Sequence, residues 1–299
     1  LEENPMSANR FLERLQNGKI LVLDGATGTN LQQRGLPGGT PSDIWVMDNP
    51  DAVMQLHRDF VEAGSDIILT NTFGSTRLHL EHAGLADRFE RTNRSAVELA
   101  CRVVEGSATL VGGSMGPLGE MLEPYGMLRD ADAEAAYAEQ ACILSDAGVD
   151  LLVIETQFDL NEAKAAIRGV RSVTDLPLVC SFSYDRGTRT MMGVKPSQMA
   201  SEFAPMGVTA LGINCGRSLE DNFKALEELR QATDLPIWFK PNAGLPHNNA
   251  AGNLQYDVTP EIMAAQVAQW VAAGARLVGG CCGTSPEHLK AIAQAARAI

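Results

Sequence analysis

No stretch of the sequence is apolar over the roughly 18 residues that a membrane-spanning helix needs. The first residues, LEENPMSANR, have no basic segment leading into an apolar one, so no secretory signal is expected. Met6 reads as the natural start, with residues 1–5 a remnant ahead of it. Cysteine is scarce, with six in 299 residues, which excludes a disulfide scaffold. Two of the six, Cys281 and Cys282, are adjacent, which suits a reducing compartment and a metal better than crosslinks; a cytoplasmic location is expected. Positive charge is in the minority. Against 37 Asp+Glu, 24 Lys+Arg leave a net charge of −13, so neither nucleic acid nor an anionic membrane is expected as a partner. Aromatics make up only 5%, but apolar residues reach 45%, an ordinary globular composition that excludes disordered, collagenous and coiled-coil chains. No linker rich in Gly, Pro or Ser divides the chain.

What is present is a repeat of form. A stretch with helical apolar spacing ends in a small residue and Gly, and a run rich in Val, Ile and Leu follows. It recurs as FVEAGSDIILTNTF at 60–73, LSDAGVDLLVIET at 144–156, FAPMGVTALGINC at 203–215 and WVAAGARLVGGCC at 270–282. Each reads as a helix capped by a left-handed Gly and then a buried strand. The strand runs are too continuously apolar for one wet face and suit a parallel sheet covered on both sides. Four more runs, KILVLDG at 19–25, ATLVGGS at 108–114, PLVCSFS at 177–183 and PIWFKPN at 236–242, bring the strands to eight. Eight βα units in one domain predict an α/β fold, a single-domain (β/α)8 TIM barrel over residues 18–299, with residues 1–17 as an N-terminal extension. A doubly wound open sheet is the alternative, because periodicity does not show closure.

Barrel chemistry sits at the C-terminal ends of the strands. Those ends are small or polar here: Asp24, Thr72, Ser114, Glu155, Ser183, Cys215, Asn242 and Cys281/Cys282. In a closed barrel the sixth and eighth strands are one neighbour apart, so their mouths lie on the order of 10 Å from each other. Inward-leaning Cys215, Cys281 and Cys282 then converge on one ion. Three thiolates at about 2.3 Å bind zinc tetrahedrally and leave a fourth position open. Such a centre is electron-rich, poor for activating water and suited to a substrate thiolate. Cys101, Cys142 and Cys180 fall inside helix or strand patterns and read as small buried hydrophobes. A vicinal disulfide at 281–282 is the competing structural role for that pair.

These motifs together resemble the zinc-dependent homocysteine S-methyltransferases. The resemblance runs from about residue 18 to 297 and is carried by DGATGT at 24–29, TNTF at 70–73, GSMGP at 113–117, ET at 155–156, GINC at 212–215, PNAGLP at 241–246 and GGCCGT at 279–284. It implies Cys215, Cys281 and Cys282 as ligands of Zn2+, and Asp24 and Glu155 as the carboxylates that hold the homocysteine ammonium. The loop Gly25, Ala26, Thr27, Gly28 and Thr29 offers successive N–H groups for the amino acid's carboxylate. Asn214 and Asn242 flank the metal and are expected to orient its ligands. His57, His79, His82 and His288 read as surface residues, and Lys240 and His247 receive no catalytic role.

The implied reaction makes methionine from homocysteine. Betaine is disfavoured as methyl donor: a quaternary ammonium needs an aromatic cage, and Gly74 and Thr156 stand where rings would be expected. TNTFGST, PNAGLP and GGCCGTSPEH look most like the homocysteine-binding module of cobalamin-dependent methionine synthase. One barrel fills the 299 residues, so methylcobalamin, presented by a separate corrinoid protein or domain, is the expected donor. S-Methylmethionine, S-adenosylmethionine or another small onium is the alternative. A different barrel enzyme, such as an aldolase or hydrolase, and a non-catalytic zinc-binding module are the remaining rivals.

Overall fold

The computed structural model describes residues 9–248 and 254–299. All eight expected strands form. They are β1 (Leu21–Val22), β2 (Ile67–Leu69), β3 (Leu110–Met115), β4 (Leu151–Gln157), β5 (Leu178–Phe182), β6 (Ala210–Cys215), β7 (Ile237–Pro241) and, after a two-stranded insertion β8 (His247–Asn248) and β9 (Leu254–Gln255), β10 (Ala275–Val278). The large sheet is parallel and runs β1-β10-β7-β6-β5-β4-β3-β2. A parallel bridge between Leu23 and Ile67 joins its two edges and closes the barrel, which decides against the open sheet. The short antiparallel pair β8–β9, unforeseen in the sequence, is inserted in the chain between β7 and β10. The natural start assigned to Met6 lies outside the described residues.

The helix–Gly–strand repeat has the cause read from the sequence. Gly64 and Gly148 adopt φ 104° and 102° and close the helices Pro50–Ala63 and Asp130–Ala147. A side chain there would be strained in the left-handed region. The aspartate that follows each cap stitches the barrel base: Asp66 Oδ2 accepts from Val22 N at 2.9 Å, and Asp150 Oδ2 accepts from Val111 N at 2.8 Å.

Period-two alternation along the strands sorts the core into two layers. Leu21, Leu23, Ile67, Leu69, Leu110, Leu151, Val153, Val179, Ala210, Trp238 and Leu277 fill the barrel, and Phe11 joins them. Phe11 comes from the helix Arg10–Gln16, within the segment expected as an extension. Asn9 caps this helix, and Arg10 and Arg14 pair with Asp150 and Asp66 at 3.6 and 3.5 Å. The helix therefore lies across the barrel base, with a fully buried Phe11 as its plug.

Two expectations need correction. His57 and His288 are buried, at 1% and 8% exposure, because each turns inward from its helix. Cys142 is exposed on the Asp130–Ala147 helix, whereas Cys180 is buried in β5 and burial raises its thiol pKa.

Candidate metal centre and acceptor site

Cys215 is the last residue of β6 and has a left-handed backbone, φ 59°. Asn222, one turn into the following helix, holds that turn by donating from Nδ2 to Cys215 O at 2.7 Å. Gly216 continues it at φ 77°, and a Cβ there would stand 2.2 Å from Asn222 Oδ1, so only glycine fits. Cys281 and Cys282 lie just beyond β10, reached through Gly279 and Gly280. A Cβ on Gly279 would fall 2.6 Å from Leu23 Cβ, and one on Gly280 would fall 2.4 Å from Thr284 Cγ2. The chain is thus drawn close to β1 before it turns. Cys281 N donates to Pro241 O, Ala243 N to Cys282 O, and Thr284 Oγ1 to Cys281 O, so both cysteines are anchored through their backbones.

The three sulfurs meet. Cys215 Sγ lies 3.1 Å from Cys281 Sγ and 4.0 Å from Cys282 Sγ. All three lie within 4.8 Å of one another, and among the described residues they are the only His, Cys, Asp or Glu group so arranged for a metal. Tetrahedral thiolates at the usual zinc–sulfur length stand about 3.8 Å apart, so the spacing and softness of this donor set fit zinc. Hydrogen bonds from Cys215 and Cys281 lower the Cys282 thiol pKa, hydrogen bonds to its two neighbours and burial raise that of Cys215, and for Cys281 the lowering bond to Cys215 is outweighed by the bond to Cys282 and by burial. Tyr256, not anticipated from the sequence, covers the rim: a Cβ on Gly283 would lie 2.3 Å from its ring. Burial and the nearby thiols raise its hydroxyl to about 12.

Beside the sulfurs lies a polar cluster. Ser114 Oγ donates to Glu155 Oε1 at 2.6 Å. Burial lifts the Glu155 carboxyl to about 7; Cys281 and Asp24 add to the rise, while Lys240 and the Ser114 bond oppose it. Thr156, next in β4, has φ 63°, a strained value for a β-branched residue. Asn214 holds it there: Thr156 N donates to Asn214 Oδ1 at 2.9 Å, and Asn214 Nδ2 donates to Thr156 Oγ1 at 2.7 Å. Ser181 Oγ donates to the same Oδ1 at 2.6 Å, and Asn214 Nδ2 is 3.8 Å from Cys281 Sγ. Asn214 therefore ties the Glu155 turn to the metal ligands. Asn242 braces the other side, donating from N to Cys215 O and from Nδ2 to Gly216 O.

Asp24 is placed at the mouth as expected, but its carboxylate is already engaged. Oδ2 accepts from Leu69 N at 2.7 Å, and Oδ1 accepts from Lys240 Nζ at 2.5 Å. Burial alone would lower the Lys240 pKa; Asp24, Glu155 and Cys281 outweigh it and hold the ammonium above its ordinary value. The loop expected to cradle a carboxylate is the start of a helix, Thr27–Gln33, with Ala26 at its cap. Ala26 N donates to Thr284, and Thr29 Oγ1 accepts from Gly283 N at 3.4 Å, so part of this loop braces the GGCCGT turn.

The sequence pattern described as Homocysteine S-methyltransferase matches residues 21–296. The chain belongs to that family. A solved homocysteine methyltransferase, MmuM from Escherichia coli in its metallated form, superposes with a TM-score of 0.82 at 28% identity, covering 96% of this chain and 99% of that chain. Its apo form superposes with a TM-score of 0.76 at 27% identity, covering 96% of this chain and 100% of that one. Methionine synthase of Mycobacterium tuberculosis is 33% identical over 296 residues, covering 93% of this chain. The chain spans 24% of that relative's length. MmuM, a homocysteine methyltransferase, is matched over nearly its whole length, and this match overturns the expectation of cobalamin dependence. No helix among the described residues is long and apolar enough to cross a membrane.

Proposed function

We propose that the chain methylates the thiol of L-homocysteine to give methionine, with a small sulfonium, S-methylmethionine or S-adenosylmethionine, as donor. The observation that carries this is the convergence of Cys215, Cys281 and Cys282 within 4.8 Å at the barrel mouth, beside the buried carboxylate of Glu155. Zinc held by the three sulfurs supplies Lewis acidity that keeps the acceptor sulfur ionised near neutral pH, where a free thiol is only a few per cent thiolate. The chain's own residues supply the rest. Glu155, aimed by Ser114 and by the Asn214 clamp on Thr156, receives the acceptor's ammonium. Asn214, Asn222 and Asn242 keep the cysteine-bearing turns in register. The acceptor sulfur attacks the methyl carbon, and the electron pair of the donor's carbon–sulfur bond leaves with a neutral thioether. The attacking sulfur is already ionised, so the scheme uses no histidine base.

The test is methionine formation by the zinc-loaded protein with homocysteine and, separately, S-methylmethionine, S-adenosylmethionine, betaine and methylcobalamin. Turnover with a sulfonium is expected. Turnover with betaine or methylcobalamin alone would overturn the donor assignment, and turnover unaffected by chelation would overturn the metal's role.

A further inference from the structure

Asp24 and Glu155 are unlike in what they have left to offer a ligand. Asp24 is 1% exposed, Lys240 3% and Glu155 7%. Both Asp24 oxygens are bonded inside the chain, to Leu69 N and to Lys240 Nζ. Glu155 bonds through one oxygen to Ser114, and no hydrogen bond reaches its other oxygen among the described residues. Lys240 cannot readily be displaced. Its stem rises from β7 past the Trp238 ring, with Nζ 5.9 Å from the ring centroid, and its side chain is 4% exposed. An incoming ammonium that took Asp24 would leave the Lys240 cation buried without its partner, which is strongly unfavourable. It would also place two cations beside one carboxylate.

We propose that Lys240 determines acceptor specificity: its ammonium fills, from within the chain, the cation position on Asp24, so that Glu155 alone reads the acceptor's α-ammonium. This rests on the methyltransferase function proposed above. It assigns Lys240 a role that the sequence did not suggest, and makes Asp24 the counter-ion of Lys240.

The experiment compares homocysteine with 4-sulfanylbutanoate, the same thiol acid without its amine, in the zinc-loaded protein. Both kcat and KM are measured with the sulfonium donor, and Kd by calorimetry without donor. Replacing Lys240 by Met (Lys240→Met) frees Asp24 for the acceptor. The preference for homocysteine should rise about tenfold or more, in KM and Kd and not in kcat. An unchanged or reduced preference would overturn the proposal. Should Lys240→Met fail to fold, the double variant Asp24→Asn/Lys240→Met leaves neither buried charge alone. It should keep the wild-type preference within about threefold; a collapse of homocysteine binding there would show that Asp24 reads the ammonium, and would overturn the proposal. If the wild-type protein methylates neither thiol with any donor, the methyltransferase function itself fails, an outcome distinct from an unchanged preference.

Discussion

At the scale of the residue, three sulfurs and one asparagine carry the site. Replacing Cys215, Cys281 or Cys282 singly by Ser should reduce bound zinc from about one per chain to under a tenth, and abolish turnover, because a two-thiolate remnant holds the ion far less tightly. Circular dichroism should show the barrel intact, since its interior layer contains none of the three. Cys180→Ser should keep full zinc, as that thiol is buried in β5 away from the trio. Asn214→Ala removes both bonds that hold Thr156 at φ 63°. Turnover should fall about 10- to 100-fold with zinc content retained, as for other residues that orient ligands from behind. Zinc analysis beside steady-state rates separates the two classes of variant. Much of this was legible in the sequence, because thiols, carboxylates and amides at strand ends are chemically conspicuous. Lys240 was not: PIWFKPN reads as a buried strand, and nothing local shows that its ammonium meets a carboxylate 216 residues away.

At the scale of the element, the Pro50–Ala63 helix carries a buried imidazole with no partner. Neither ring nitrogen of His57 makes a hydrogen bond, and burial lowers its pKa to about 4, against a smaller upward pull from Asp24. The folded chain therefore keeps His57 neutral while the unfolded chain protonates near 6.5. Its contribution is fully present above that pH and is lost as pH falls toward 4, by about 3 kcal/mol in all. Urea denaturation across this range should show the loss, and His57→Leu should remove that part of the slope. A polar residue in a helix reads as surface, whereas the spacing of His57 from Val53, Met54 and Phe60 puts it on the inward face. The helix–Gly–strand repeat, by contrast, was readable throughout. Each capping glycine announces a left-handed turn whose conformation other residues resist, as Gly64 and Gly148 show. The strands β8 and β9 were not readable, being two residues each and lacking any alternating run.

At the scale of the whole molecule, a closed parallel barrel separates stability from chemistry: the base is stitched and plugged, and the mouth carries the reactive groups. Phe11 belongs wholly to the first. Phe11→Ala should destabilise the fold by about 3–5 kcal/mol, read by denaturant midpoint, while kcat of the remaining folded protein stays near wild type. Eight strands could be counted in the sequence, but closure could not; it rests on the contact of Leu23 with Ile67, at opposite edges of the sheet. The same separation makes the metal centre testable on its own. X-ray absorption at the zinc edge, taken before and after adding homocysteine, asks the central question most directly. Three sulfur neighbours and one lighter atom should become four sulfurs when the acceptor binds. Four protein ligands at the outset, or a sulfur count that homocysteine leaves unchanged, would contradict the account.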